Sequence, residues 1–143
     1  MKKQNDEINV KNEEEIDEVG DEINAALNDS KGIISHQKRL AFCLSLGITN
    51  ELENYLKKKN ILKPGVKIDH RMLKKSKENI KKILSEKIVV EINDIKKIDF
   101  ILDTAHFIES HRDNLAYGKK ATEDLLKNLI NKYLDVKKEI ENE

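Results

Sequence analysis

Leu126, Leu129, Tyr133, Val136 and Ile140 recur at spacings of three, four, three and four. On a helix of 3.6 residues per turn, that spacing gathers all five on one face, and an apolar face of that length must be covered by another element. Thr122 stands before the seam as a cap, with Glu123 and Asp124 in the first turn, where the helix dipole favours acids. The same rhythm runs through Ile16, Val19, Ile23 and Ala26, through Ala41, Leu44, Ile48, Leu52 and Tyr55, and through Ile98, Ile101, Ala105 and Ile108. With one proline and five glycines in 143 residues, little interrupts it. The spacing predicts an all-α, up-and-down bundle of four main helices, preceded by an acidic N-terminal helix or tail.

Residues 1–30 are expected to form that acidic helix or a flexible extension, and 31–143 the bundle. Residues 1–11 are polar and expected to fray. From Ile33 a long helix is predicted to about Lys59. Gly47 lies inside it, at a cost of about 1 kcal/mol relative to Ala, which suggests a close helix crossing. His36 and Arg39 fall at the edge of its seam, where a histidine is ordinarily a surface or satisfied residue. Lys63-Pro64-Gly65 suits a type II turn. Asp69 is placed to cap a helix carrying Met72, Leu73, Ile80, Ile83 and Leu84 inward. The run from Lys87 to Ile92 is β-branched, but a lone strand would have no partner, so it reads as a linker or helix start. The next helix is expected over about 93–116.

Basic and acidic residues balance at 27 each, which hides an asymmetry. Residues 1–30 hold three basic and ten acidic residues, net −7, whereas 57–87 hold twelve basic and three acidic, net +9. Lys74, Lys75 and Lys81 are candidate contacts to nucleic-acid phosphates. Scarce aromatics, and lysine in place of arginine, argue against specific base readout, and a solvated charged face is the plain alternative. Cys43 is the only cysteine, which rules out a disulfide framework. One cysteine and four scattered histidines build no structural zinc cluster, and His106 and His111 are five apart, so no metal or cofactor is expected. There is no Gly-rich phosphate loop, Gly-x-Ser-x-Gly elbow, His-Glu-x-x-His or Cys-x-x-Cys. The first residues lack the apolar core of a signal peptide, and the longest apolar tract, Leu40 to Ile48, is too short to span a bilayer. A cytoplasmic protein away from membranes is the expectation.

Arg112-Asp113-Asn114-Leu115-Ala116-Tyr117-Gly118 carries the functional signal. Continuing the Ile98–Ile108 seam puts an arginine at Arg112 in register with the apolar face. A guanidinium stays charged, so it needs a carboxylate, a phosphate or a wet cleft. Gly118 supplies a helix stop. Arg112 and Tyr117 are about 140° apart around an ideal helix, so they are expected to converge only if the helix unwinds or a second subunit supplies one of them. His111 is beside Arg112, about 100° around, and is a candidate to lend charge to a phosphate site.

This stretch resembles HEPN-domain proteins, which carry an arginine, then Asp or Asn, and a histidine a few residues later with Ala before it and Gly after it. Arg112, Asp113, Ala116 and Gly118 match, and Tyr117 stands where that histidine belongs. The motif spans seven residues; the arrangement of helices extends the likeness loosely over about 32–141. The resemblance implies a helical homodimer with RNA as its ligand, acting as a metal-independent endoribonuclease or a degenerate form of one, and paired with an antitoxin such as a nucleotidyltransferase. Arg112 would hold the scissile phosphate, Asp113 would orient it and Tyr117 would replace the histidine. Metal-free cleavage needs a base for the 2′-hydroxyl and a cation for the transition state. Histidine titrates near neutrality and tyrosine near 10, so at pH 7 a tyrosine costs on the order of 5 kcal/mol more to deprotonate. A non-catalytic helical interaction module, with Arg112 in an ordinary ion pair, is the alternative.

Overall fold

The seams read from the sequence become the walls of one core. The computed structural model describes the backbone of residues 2–143 and the side chains of 10–143; residues 2–11, expected to fray, have helical backbone. Five α-helices follow in order: α1 (Lys2–Asn28), α2 (Gln37–Lys58), α3 (Lys77–Ser85), α4 (Ile98–Tyr117) and α5 (Glu123–Glu141). Short 3-10 turns at Ile33–His36, His70–Lys74 and Ile92–Asp94 lead into α2, α3 and α4. The fold is the all-α helical bundle expected, 75% helical. None of the described helices is long and apolar enough to cross a membrane.

α2 is the hub, packed on α1, α4 and α5. Its Leu44, Ile48 and Leu52 are buried with Val19 and Ile23 of α1, Ile101 and Ala105 of α4, and Leu129 and Tyr133 of α5. Gly47 sits where three of these helices meet. A Cβ there would lie 2.9 Å from both the Tyr133 ring and the Val19 side chain, closer than packed carbon atoms approach. The crossing predicted from this glycine is therefore real, and it seats α1 and α5 against α2. At the other end of the hub, buried Gln37 donates to the Leu115 and Lys119 carbonyls at 3.1 Å each and accepts from the Ala121 N–H at 2.8 Å. One amide thus fixes the start of α2 to the last turn of α4 and the loop that follows it.

Three expectations need correction. The segment 69–86 is two elements, because it contains two caps. Asp69 accepts from the Arg71 N–H and closes a 3-10 turn; Lys75 is extended, and Ser76 then accepts from the Asn79 N–H to start α3. The Lys87–Ile92 run is a linker, as read, but it is not without a partner, since it makes one isolated β-bridge. Asn60, in the left-handed region at φ 57°, turns the chain back after α2. Leu62 then bridges Ile88, with Lys63 N–H to Lys87 O at 2.8 Å and Val89 N–H to Ile61 O at 2.9 Å. Finally, α4 begins at Ile98 rather than near residue 93, after Lys97 in the left-handed region at φ 62°. Gly118 ends α4 as expected, since a Cβ there would press into the Asn114 carbonyl.

Candidate functional site

A groove of about 790 Å³ opens between α1, α2, the loop 67–70 and α4. Glu53 shapes one wall: its Oε2 accepts from the Ile68 N–H at 2.7 Å, while Oε1 takes Lys57 Nζ at 2.6 Å. Asn12 of α1 joins the same buried network, donating to Asn50 at 2.6 Å. The N-terminal helix is thus part of the groove, and the charged lining balances, with Lys11, Lys67 and Arg112 against Glu15, Glu53 and Asp69.

Arg112 lies on this groove with its side chain 21% exposed. Its guanidinium carbon is 4.8 Å from the Phe42 ring centroid, a cation–π placement. Nη1 donates to Asp113 Oδ1 at 3.1 Å, and among the described residues that is the side chain's one hydrogen bond. A guanidinium has five N–H donors, so most of this one's capacity is uncommitted. Tyr117 also reaches Phe42, edge to face at 6.1 Å and 74°, with Lys38 Nζ 5.9 Å from the Tyr117 ring. Arg112 and Tyr117 thus share Phe42 as a neighbour without contacting each other, and Arg112 lines the groove whereas Tyr117 does not. α4 stays helical through Tyr117, and the breadth of the Phe42 ring lets both residues reach it. Tyr117 is otherwise open, 73% exposed.

The remaining candidates separate. Asp113 is bonded to Lys74; that lysine, and secondarily Arg112, holds its carboxyl below the usual range. Lys81 is paired with Asp99 at 2.7 Å and donates to Asn93 at 3.2 Å. Lys77 bridges Asp99 and Asp103. Three lysines of the basic segment, Lys74, Lys77 and Lys81, are thus matched to acids of α4, whereas Lys75 is exposed with no ion pair among the described residues. His111 bonds the Phe107 carbonyl through Nδ1 at 2.7 Å and packs on the Phe107 ring at 4.6 Å. Lys132 of α5 covers the same ring, so His111 faces α5 and not the groove.

Sequence reasoning passed over His70, Glu109 and Ser45. Glu109 is fully buried. Its Oε2 accepts from Ser45 Oγ at 2.6 Å, and its Oε1 is 2.6 Å from His70 Nδ1. His70 is 37% exposed along its side chain and lines the groove. The order of contacts excludes an acyl-transfer triad: the carboxylate stands between serine and histidine, so the Ser45 hydrogen goes to Glu109 and not to an imidazole. Glu109 left a readable signal, falling four residues after Ala105 and three before Arg112, on an apolar face where a carboxylate needs a partner. His70 left none, since 39 residues separate it from Glu109.

Among the described residues, no three His, Cys, Asp or Glu side chains gather as metal ligands. Comparison of the chain with family models, with curated proteins and with solved structures finds no match.

Proposed function

We propose that the protein is a HEPN-like RNA-binding domain whose groove holds a phosphodiester at Arg112 without a metal ion. The observation that carries this reading is Arg112 itself, mostly buried against Phe42 with a single hydrogen bond to spend on Asp113. A phosphate oxygen pair suits the free edge of such a fork, and Phe42 and Tyr117 offer flat faces to a neighbouring base. On this reading two copies pair as a homodimer, and the protein is one half of a toxin–antitoxin pair, opposed by a nucleotidyltransferase or another antitoxin in the cytoplasm.

The test is retention of labelled single-stranded RNA by purified protein in chelator, across a salt series. Arg112→Ala should weaken retention by about tenfold, the loss of one charge-assisted phosphate contact. Wild-type protein that retains no RNA at low salt ends the reading. A non-catalytic interaction module is favoured by one observation, the apolar patch of Phe42, Leu46 and Tyr117, at 36%, 41% and 73% exposure. Binding to a nucleotidyltransferase that is abolished by Leu46→Glu and indifferent to Arg112→Ala would favour that module.

A further inference from the structure

We infer that His70, held by Glu109, is the base of metal-free RNA cleavage in this groove, in the role that the motif position at Tyr117 leaves empty. The inference rests on the RNA-holding reading above and adds a residue far outside the motif.

His70 opens a 3-10 turn whose cap is Asp69, with the Arg71 N–H at 2.9 Å. Two residues earlier the backbone is pinned, Ile68 N–H to Glu53 Oε2 at 2.7 Å. The ring is then fixed by Glu109 at 2.6 Å. Glu109 has no freedom to turn away, since it is fully buried and its other oxygen accepts from Ser45. A side chain whose backbone and ring are both held meets the geometric demand of a catalytic group.

A buried carboxylate accepts, so Nδ1 carries the hydrogen of that bond. Nε2, on the opposite edge of the ring, then keeps a lone pair, and it has no partner among the described residues. Orientation of an imidazole by a carboxylate at Nδ1 is the arrangement that presents Nε2 as a base. Arg112 follows Glu109 by three residues, so the positioning carboxylate and the phosphate-holding cation share one face of α4. His70 and Arg112 both line the groove. A base and a cation are the two groups that metal-free cleavage requires.

The chemistry balances without further reagents. The 2′-hydroxyl proton passes to His70 Nε2, the 2′-oxygen bonds to phosphorus, and the P–O5′ bond breaks. The 5′-oxygen takes a proton from water, and the imidazolium returns its own to the hydroxide left behind. The products are a 2′,3′-cyclic phosphate and a 5′-hydroxyl, and no electrons change hands. Glu109 is a positioning residue in this scheme.

The experiment is a time course of labelled single-stranded RNA with the full chain in chelator, reading retention, cleavage and product ends together. The variant is His70→Asn, because the asparagine amide can still donate to Glu109 from near the Nδ1 position but offers no basic nitrogen. Expected are cyclic-phosphate ends with wild type, cleavage down at least about a hundredfold in the variant, and retention nearly unchanged. An RNA with a 2′-deoxy sugar at the cleaved position should bind and stay intact. Imidazole added to His70→Ala should restore part of the rate. Equal cleavage by His70→Asn, or products ending in 3′-hydroxyl and 5′-phosphate, overturns the inference and leaves the groove's RNA binding standing. RNA retained by wild type but never cut does the same. Loss of retention in wild type removes both readings together.

Discussion

Two histidines in this chain are set against buried or half-buried acids, and they are held in opposite ways. His36, at the start of α2, is 6% exposed and has both ring nitrogens engaged: Nδ1 with Glu22 at 2.9 Å and Nε2 with Asp29 at 2.7 Å. Arg39 reaches the same Glu22 at 3.1 Å. The Glu22 and Asp29 carboxylates raise the His36 pKa above its ordinary value. His70 engages one nitrogen only, and its half-exposed ring faces a groove. The difference lies in what is left over. An imidazole with both nitrogens bonded to acids is a clamp, here tying the end of α1 and the following turn to α2. An imidazole with one nitrogen anchored and the other unspent has capacity for a ligand.

The largest effect that would break this contrast is catalytic. His36→Asn should leave RNA cleavage unchanged, whereas His70→Asn should reduce it at least about a hundredfold under the same conditions. Equal losses would mean that both histidines act through the fold.

Stability should report the reverse order. Gly47→Ala forces a methyl into the contact with Tyr133 and Val19, and overpacking of that kind outweighs the gain in helix propensity, for a net loss of about 1–2 kcal/mol in chemical unfolding. His36→Ala removes two charge-assisted hydrogen bonds at a buried site and should cost about 2 kcal/mol. Both variants should keep the cleavage rate of wild type well below their melting points, because neither residue lines the groove.

The pH dependence of folding sharpens the clamp side. The folded pKa of His36 is raised above 6.5, so its stabilisation is complete below pH 6.5 and is lost as pH rises through the folded value. Its partners move the other way. Glu22 is lowered from 4.5, against the desolvation that is its largest single influence, by its bonds to His36 and Arg39. Asp29 is lowered from 3.8, chiefly by the Lys31 N–H and then by His36. Their contributions are present above those values and are lost in acid. Glu51 adds to the alkaline loss: burial pushes its carboxyl up to about 7, so the folded state holds a proton that the unfolded state releases from 4.5 upward. Melting temperatures should therefore fall between pH 6 and pH 8. His36→Asn should remove part of that slope and Glu51→Gln another part; a slope unchanged in both variants would remove these two groups as its cause.

The smallest effect is a difference in labelling. A histidine-acylating reagent should modify His70 well before His36 in the native chain, as read by peptide mass, and bound RNA should slow the reaction at His70. Early labelling of His36 would show that the clamp opens easily and would erase the contrast.

How much of this could be read before folding differs from element to element. The seams at Ile16–Ala26, Ala41–Tyr55, Ile98–Ile108 and Leu126–Val136 are buried as their spacing requires, because burial of an apolar face is written in local periodicity. Gly47, Thr122 and Gly118 also act as read, since caps, stops and close crossings depend on a few neighbouring atoms. Caps decided one boundary that apolar spacing concealed: Ser76 divides a segment whose inward residues run on across it.

The helices, their inner faces and the presence of one arginine on an apolar stripe are all legible in the order of residues along the chain. Packing alone set Phe42 of α2 under that arginine and brought to the same groove a histidine held through a carboxylate 39 residues away. It also turned Lys74, Lys77 and Lys81 toward the acids of α4 and gave the β-branched run its partner at Leu62. The physical reason is range. Helix periodicity and capping act over a few residues and leave a mark in order along the chain, whereas a hydrogen bond to a buried carboxylate is indifferent to the length of chain between its partners.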